Sequence, residues 1–141
     1  MFAAARPARG GFWVAATRGA GVVGYVGLEL SALGGEADVV NLAVDPAARR
    51  RGVGRALLDK AVAVCRARGV PLLWLRVRAS NRGARRFYRR CGFHTVGRFR
   101  GYYERPPETA ILMAVGTRAP ASARRRAGRP LSTSASRRTR P

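Results

Sequence analysis

One short segment of this chain has the composition of an anion-binding site. Arg49 is followed by Gly52 and Gly54 at the point where a strand gives way to a helix. Glycine lets the backbone approach a ligand, and the unpaired amides at a helix start, at the positive end of its dipole, bind a diphosphate-like anion. Taken alone, the same pattern is equally typical of a tight turn. Further cations in the segment are Arg50, Arg51 and Arg55.

The elements around this segment form a predicted crossover. Residues 38–44 read as a strand that stops at Asp45-Pro46, because proline lacks a backbone donor. Residues 51–68 have helical periodicity, and residues 71–77 form a mostly buried strand, so the two strands should be parallel neighbours. The predicted apolar face of the helix is Leu57, Leu58, Ala61, Val62 and Cys65. The remaining predicted elements are a hairpin of strands 11–17 and 22–30, a short helix capped by Ser80 or Asn81, and strands 93–99 and 109–115.

Length and composition predict one folded domain, residues 1–115, and a tail. The chain has 141 residues and a formal net charge of +21, which favours anionic partners such as RNA or a phosphate-bearing cofactor. Residues 116–141 contain eight Arg and no acidic residue, a composition that predicts a disordered basic tail. The sequence offers neither a membrane-spanning run nor metal-ligand spacing, so we expect a soluble, cytoplasmic protein without a metal.

The pattern Arg49-x-x-Gly52-x-Gly54 resembles the acetyl-CoA signature of the GNAT superfamily of N-acetyltransferases. Residues 73–81, 87–88, 91–93 and 101–103 continue that resemblance in the family's order, in particular that of the bacterial family that acetylates the amino-terminal alanine of a ribosomal protein. The resemblance implies an α/β fold with a GNAT-type central mixed, twisted sheet flanked by helices. Family members carry a leading strand and two helices before the hairpin, and we expect those helices to be lacking here.

The resemblance also implies the cosubstrate, acetyl-CoA, and the residues that bind it. Tyr88 matches the general acid that protonates the departing thiolate, a role that suits a phenol with a pKa of about 10; alternatively it is a core residue. Asn81 matches a cofactor-contacting asparagine, although it also suits a plain helix cap. The full implied cofactor-binding set is Leu42, Ala43, Val44, Arg49, Arg50, Arg51, Gly52, Val53, Gly54, Arg55 and Asn81.

The chain departs from the family at the position of the general base. The family carries glutamate in Trp-Leu-Glu-Val-Arg, whereas this chain has Arg76, which does not accept a proton. Asp38, Glu108 and His94 are candidate substitutes, with Asp38 the first of them, and each also suits an ordinary surface or turn role. Losing a base costs about 10² to 10⁴ in rate, so we expect this chain to have reduced activity. For the same reason, we expect the substitution Arg76→Glu to increase turnover.

The acceptor side depends on two aromatic residues. Tyr102 and Tyr103 resemble the tyrosine pair of the family's peptide-binding loop, although such a pair can also close a core. The leading hypothesis is acetyl transfer to a protein N-terminal amine, a ribosomal-protein alanine above all. A lysine or a small-molecule amine remains open as the acceptor. The alternative from another class is a catalytically impaired acetyl-CoA-binding or RNA- or ribosome-associated protein that contacts RNA nonspecifically through its basic tail.

Overall fold

The computed structural model describes residues 2–5, 11–31 and 34–118 of the chain. In this part of the chain, no helix combines the length and the apolar character needed to cross a bilayer. The elements in chain order are β1 (Phe2–Ala5), β2 (Gly11–Arg18), β3 (Gly21–Leu30), β4 (Glu36–Val44), a 3₁₀ turn (Pro46–Ala48), α1 (Val53–Ala67), β5 (Leu72–Arg78), α2 (Arg82–Arg90), β6 (His94–Glu104) and β7 (Pro107–Gly116).

The strands form one mixed sheet in the order β1-β2-β3-β4-β5-β7-β6. β4 and β5 are parallel neighbours joined through α1, and the other ladders are antiparallel. A parallel pair needs such a crossover, because its strands run in the same direction. The mixed α/β sheet with flanking helices and the strand-helix-strand unit are both confirmed.

Helix α1 covers one face of the sheet with the apolar stripe that its periodicity predicted. Leu57, Leu58, Ala61 and Cys65 are buried and Val62 is partly buried. Burial raises the pKa of the Cys65 thiol to about 11, so this side chain stays protonated and packs as a small apolar group. Truncating a buried leucine here to alanine would cost about 2–5 kcal/mol. The strand residues of the same core include Phe12, Val14, Val26, Leu28, Leu73, Leu75 and Met113.

Two strands differ from the sequence prediction. β1, which pairs with β2 at the edge of the sheet, was not predicted, because the four residues of its sequence have no alternating polarity. β6 was predicted to end at Phe99 but extends to Glu104. Its ladder with β7 is irregular between Phe99 and Tyr103 and resumes where Tyr103 faces Glu108. The tyrosine pair expected in a loop therefore lies on a distorted strand.

The folded chain also continues past residue 115. β7 reaches Gly116, and the side chain of Thr117 is buried and donates a hydrogen bond to the carbonyl oxygen of Val70. The Thr117 N–H donates to the carbonyl oxygen of Pro71 at 2.9 Å. Most of the predicted disordered tail, residues 119–141, lies outside the described residues.

Candidate active site

Strands β4 and β5 pair at their starts and separate toward their ends. Their ladder covers residues 36–38 of β4 and 72–74 of β5. Between Gly27 and Leu28 the register of β3 with β4 shifts, which leaves Val40 as a bulge residue. A bulge bends its strand, and beyond it the edge of β4 that faced β5 is no longer paired in that ladder. A cleft opens at this end of β4.

The cleft has a volume of about 870 Å³. Its walls come from the end of β4, from the loop and first turn of α1, and from one face of α2. Every predicted cofactor-binding residue lines it except Arg51 and Asn81. The structure thus brings nine of the eleven predicted residues together around one cavity, and their binding of a cofactor stays a prediction.

The wall contributed by α2 was missed. Gly83, Ala84, Phe87 and Arg90 line the cleft together with Ala48 of the 3₁₀ turn. The four helical positions follow the spacing that keeps residues on one helix face. That signal was present in the sequence, but it does not indicate what the face packs against, because this depends on how α2 sits beside α1.

The two glycines of the motif are required for different structural reasons. Gly52 is the N-cap of α1 with a φ of 77°, it supplies no side-chain cap, and a Cβ placed there would meet nothing within 4 Å. A Cβ on Gly54 would lie 3.1 Å from the Phe87 ring, so glycine at this position lets α1 approach α2. The sequence predicted that both glycines let a ligand approach the backbone. The structure shows open space of this kind at Gly52, whereas glycine at position 54 is needed for the packing of α1 against α2.

Positive charge surrounds the start of α1. The Arg49 Nε donates to the carbonyl oxygen of Val44 at 3.2 Å, which fixes that side chain along the end of β4. Arg50 has a φ of 62°, the left-handed region that non-glycine residues rarely adopt. Arg55 and Arg90 add two further guanidinium groups to the cleft lining. Together with the unpaired first-turn amides of α1, these groups make the cleft suited to a polyanionic ligand.

Two predicted cofactor residues lie outside the lining. Arg51 is exposed in the turn before α1. Asn81 is the N-cap of α2, and its Oδ1 accepts a hydrogen bond from the Ala84 N–H at 3.1 Å. The helix-cap interpretation of Asn81 therefore accounts for its conformation, and a cofactor contact by this residue stays a prediction.

Tyr88 lies on α2 between two other aromatic rings. Its ring centroid is 5.3 Å from that of Phe87 and 6.0 Å from that of Phe93. Burial raises the pKa of the Tyr88 phenol, and the neighbouring Cys91 and Tyr103 raise it further. The phenol is therefore protonated at neutral pH. Tyr88 packs against the core and is not among the residues that line the cleft, so its role as a proton donor stays a prediction.

Arg76 and Asp38 form an ion pair where β4 and β5 separate. The Arg76 Nη2 donates to the Asp38 Oδ2, and the two side chains are 27% and 15% exposed. The guanidinium carbon of Arg76 lies 4.8 Å from the Trp74 ring centroid and 5.2 Å from that of Tyr102. Burial raises the pKa of the Asp38 carboxyl more than the Arg76 charge lowers it, and Glu29 raises it too. The Asp38 Oδ1 has no hydrogen-bond partner among the described residues.

The other two candidate bases have different surroundings. Glu108 accepts a hydrogen bond from the Ser80 N–H at 2.7 Å and pairs with Arg78 at 3.5 Å. The pKa of the Glu108 carboxyl is lowered, first by the bond from Ser80, which makes it a weaker base. His94 is exposed at the start of β6, at the opposite end of that strand from Tyr103. Asp38 is the candidate that combines a raised pKa with a position at the strand separation.

We call the surface formed by Trp74, Arg76, Arg78, Tyr102 and Tyr103 the acceptor face, after the acceptor-binding role that is predicted for its two tyrosines and that stays a prediction. The Tyr102 and Tyr103 ring centroids are 5.0 Å apart, and the guanidinium carbon of Arg78 lies 4.1 Å from the Tyr103 ring. Burial and then the neighbouring Tyr102 raise the pKa of Tyr103, which itself raises the pKa of Tyr88. The acceptor face and the phenol of α2 are thus electrostatically coupled through Tyr103. Within residues 2–5, 11–31 and 34–118, no group of three or more His, Cys, Asp or Glu could hold a metal ion.

Comparison with known proteins agrees with this geometry. A model of the acetyltransferase (GNAT) family matches residues 1–93. Over 82 residues the chain is 45% identical to the ribosomal protein bS18-alanine N-acetyltransferase of Escherichia coli strain K12, covering 57% of this chain and 55% of that protein. The chain therefore spans about half the length of the curated relatives it matches.

Solved structures share the fold. A GNAT-family acetyltransferase from Desulfovibrio desulfuricans matches with a TM-score of 0.72 and 29% identity, covering 77% of this chain and 70% of that one. The ribosomal-protein-S18-alanine N-acetyltransferase from Escherichia coli matches with a TM-score of 0.66 and 34% identity, covering 79% and 70%. The fold and the family resemblance expected from the sequence are confirmed.

Proposed function

The chain belongs to the acetyltransferase (GNAT) family, and from this membership we propose that it transfers the acetyl group of acetyl-CoA to the N-terminal amine of a protein. The observation that carries the proposal is the cleft at the end of β4. The start of α1, where Gly52 leaves open space, and several arginines both line this cleft. A ribosomal-protein alanine is the favoured acceptor, because the similar Escherichia coli protein is named for that acceptor. Such an acceptor implies action in the cytoplasm.

The residues of the cleft fit the diphosphate of acetyl-CoA. The amides of residues 53–55 have no partner within the helix, and Gly52 leaves open space in front of them. Arg49, Arg50 and Arg55 would neutralise the anion, since guanidinium groups bind phosphate oxygens with two parallel hydrogen bonds. The edge of β4 from Leu42 to Val44, no longer paired with β5, offers backbone groups to the pantetheine amides.

Tyr88 is proposed as the general acid. Acetyl-CoA supplies a thioester, and the reaction forms the amide C–N bond while the C–S bond breaks. The sulfur leaves as a thiolate of pKa about 8.5, which a neighbouring phenol can protonate. A phenol with a pKa of about 10 carries its proton at neutral pH and has one to donate. Burial raises the pKa of Tyr88, which keeps it protonated but also makes it a weaker acid.

Asp38 is proposed as the group that accepts the proton of the amine, directly or through water. An α-amine has a pKa of about 8, so part of it is neutral at pH 7 before any base acts. The raised pKa of Asp38 strengthens it as a base, but its Oδ2 is engaged by Arg76, which leaves Oδ1 as the free acceptor atom. We therefore expect slow turnover.

The ion pair of Asp38 also supports the second candidate function, a catalytically impaired acetyl-CoA-binding protein. A base occupied by Arg76 would leave binding intact while removing catalysis. Arg76→Glu separates the two candidates. Two carboxylates side by side raise one another's pKa, so this variant should gain turnover if the chain is an enzyme limited by its base.

Acetyl-CoA binding by calorimetry is the first test. We expect one site per chain, and affinity lost in Arg49→Glu but kept in Arg118→Glu, a matched charge reversal at the exposed end of the described chain. Absence of binding to acetyl-CoA and to CoA by folded protein would reject both candidates.

Acetyl transfer to peptides is the second test. An alanine-starting ribosomal-protein peptide should release thiol and gain one acetyl group at its N-terminal amine, read by mass spectrometry. Acetylation of lysine side chains or of small amines in a parallel panel would redirect the proposal to that acceptor. Binding without any transfer would favour the impaired protein.

A further inference from the structure

Helix α2 carries a row of arginines on one exposed face. Five of its nine residues are Arg and none is acidic. At 3.6 residues per turn, Arg82, Arg86 and Arg89 fall within about 60° of one another around the axis and span about 10 Å along it. All three are exposed. We call these three residues the α2 stripe.

The α2 stripe is separate from the cleft. The residues of α2 that line the cleft, Gly83, Ala84, Phe87 and Arg90, are centred about 120° from the stripe around the helix axis. Arg85 is a different case, since its Nη1 donates to the Ala79 carbonyl oxygen at 2.9 Å. The cosubstrate cleft therefore does not account for the stripe.

The charge of the α2 stripe is uncompensated within the described part of the chain. The ion pairs found there join Arg76 to Asp38 and Arg78 to Glu108, and neither involves the stripe. Like charges at i and i+4 destabilise a helix, and a cation in the first turn, here Arg82, opposes the helix dipole. Binding of an anion along the stripe would remove both penalties.

We propose that the α2 stripe is a docking surface for the phosphodiester backbone of RNA. A row of exposed guanidinium groups suits a chain of phosphates, which it can bind with paired hydrogen bonds. A membrane-binding helix would need apolar side chains beside its cations, whereas Phe87 and Tyr88 pack against the core. This surface is distinct from the basic tail predicted to contact RNA, and it leaves the cleft open for acetyl-CoA.

The test compares two triple variants of equal charge change in the full-length protein. One is Arg82→Gln, Arg86→Gln and Arg89→Gln; the control is Arg98→Gln, Arg100→Gln and Arg105→Gln, all exposed on or beside β6. The probe is a labelled, unstructured 12-nucleotide oligouridylate, read by fluorescence anisotropy from 50 to 200 mM salt. We expect the stripe variant to lose at least tenfold in affinity and its salt slope to fall by about 2, while the control changes less than threefold.

Equal losses in the two variants, or no loss in the stripe variant, would overturn the proposal. Stripe-dependent binding to phosphatidylserine vesicles without stripe-dependent RNA binding would also overturn it, in favour of a membrane surface. Acetyl-CoA affinity within threefold of the parent shows that each variant is folded. If the triple variant does not fold, the single variant Arg86→Gln is tested in its place, and we expect its salt slope to fall by about 0.7.

Discussion

The cofactor cleft and the acceptor face are built in different ways. The shape of the cleft depends on backbone features, namely a left-handed glycine, a helix start and an unpaired strand edge, and arginine side chains add its charge. The acceptor face is made of side chains, in which Arg76 stacks between Trp74 and Tyr102 and pairs with Asp38. A backbone site needs only a few local residue types, whereas a side-chain site needs particular partners from distant strands. Variants should therefore separate cosubstrate binding from acceptor chemistry.

The largest effect is expected at Tyr88, the neighbour of the cleft-lining Phe87 on α2. Tyr88→Phe keeps the ring packed against Phe87 and Phe93 but removes the proton donor. We expect kcat to fall by about 10²-fold or more, since general acid catalysis contributes on this scale, with acetyl-CoA affinity unchanged. Thiol release and calorimetry measure the two quantities.

Tyr102→Phe is the matched control for Tyr88→Phe. It also removes one hydroxyl and leaves a ring, but on the acceptor face, so its kcat should stay within about threefold of the parent. An unchanged kcat in Tyr88→Phe would remove the phenol from the mechanism.

The backbone nature of the cleft predicts the next effect, in a pair of glycine variants. Gly52 and Gly69 flank α1 with φ values of 77° and 72°, and a Cβ at either position would meet nothing within 4 Å. Alanine at each should cost a similar 1–2 kcal/mol of stability, roughly, because both would adopt a left-handed conformation. Only Gly52→Ala should weaken acetyl-CoA binding, by about tenfold, because Gly69 lies at the other end of the helix. Equal affinities in calorimetry would show that the backbone at Gly52 does not face the ligand.

A substitution on the acceptor face should have a smaller effect, which changes the binding of the acceptor and not that of acetyl-CoA. Tyr102→Ala removes one of the rings that stack on Arg76, a contact worth about 0.5–1 kcal/mol at an exposed site. We expect the KM for the peptide acceptor to rise about two- to fivefold while acetyl-CoA affinity is kept. Val96→Ala, at the far end of the same strand and 65% exposed, is the control. A change in acetyl-CoA affinity in Tyr102→Ala would contradict the separation of cosubstrate binding from acceptor binding.

The same contrast explains how far the sequence could predict the molecule. The crossover and the apolar face of α1 were predicted, because each depends on periodicity within a short segment. The glycines and arginines at the helix start were singled out by their chemistry, whereas Leu42 to Val44 were assigned only through the family resemblance. The β4 bulge at Val40 was not predicted, since it depends on the register with β3. Nor was the pairing of Asp38 with Arg76, which brings together residues 38 positions apart in sequence. Side-chain partners from different strands become visible only once the strands are aligned.

The electrostatic coupling between Asp38 and Arg76 of the acceptor face can be tested with one substitution and a matched control. Arg76→Gln removes the charge that lowers the pKa of Asp38, while the burial that raises this pKa remains. The Asp38 pKa should therefore move upward. Arg78→Gln is the control, because Arg78 pairs with Glu108 instead of Asp38 and should leave the Asp38 titration in place.

Carboxyl carbon NMR measures the Asp38 pKa directly, and the Asp38→Asn variant assigns the signal. The titration is recorded without the acceptor, so the ionisation of the acceptor amine does not contribute. A base acts only when deprotonated, so a higher Asp38 pKa shifts the acid limb of the kcat profile to higher pH in Arg76→Gln. If the NMR titration moves and the kcat profile does not, Asp38 is coupled to Arg76 but does not accept the proton. The reaction would then depend on amine that is already neutral, and the acceptor face would serve binding alone.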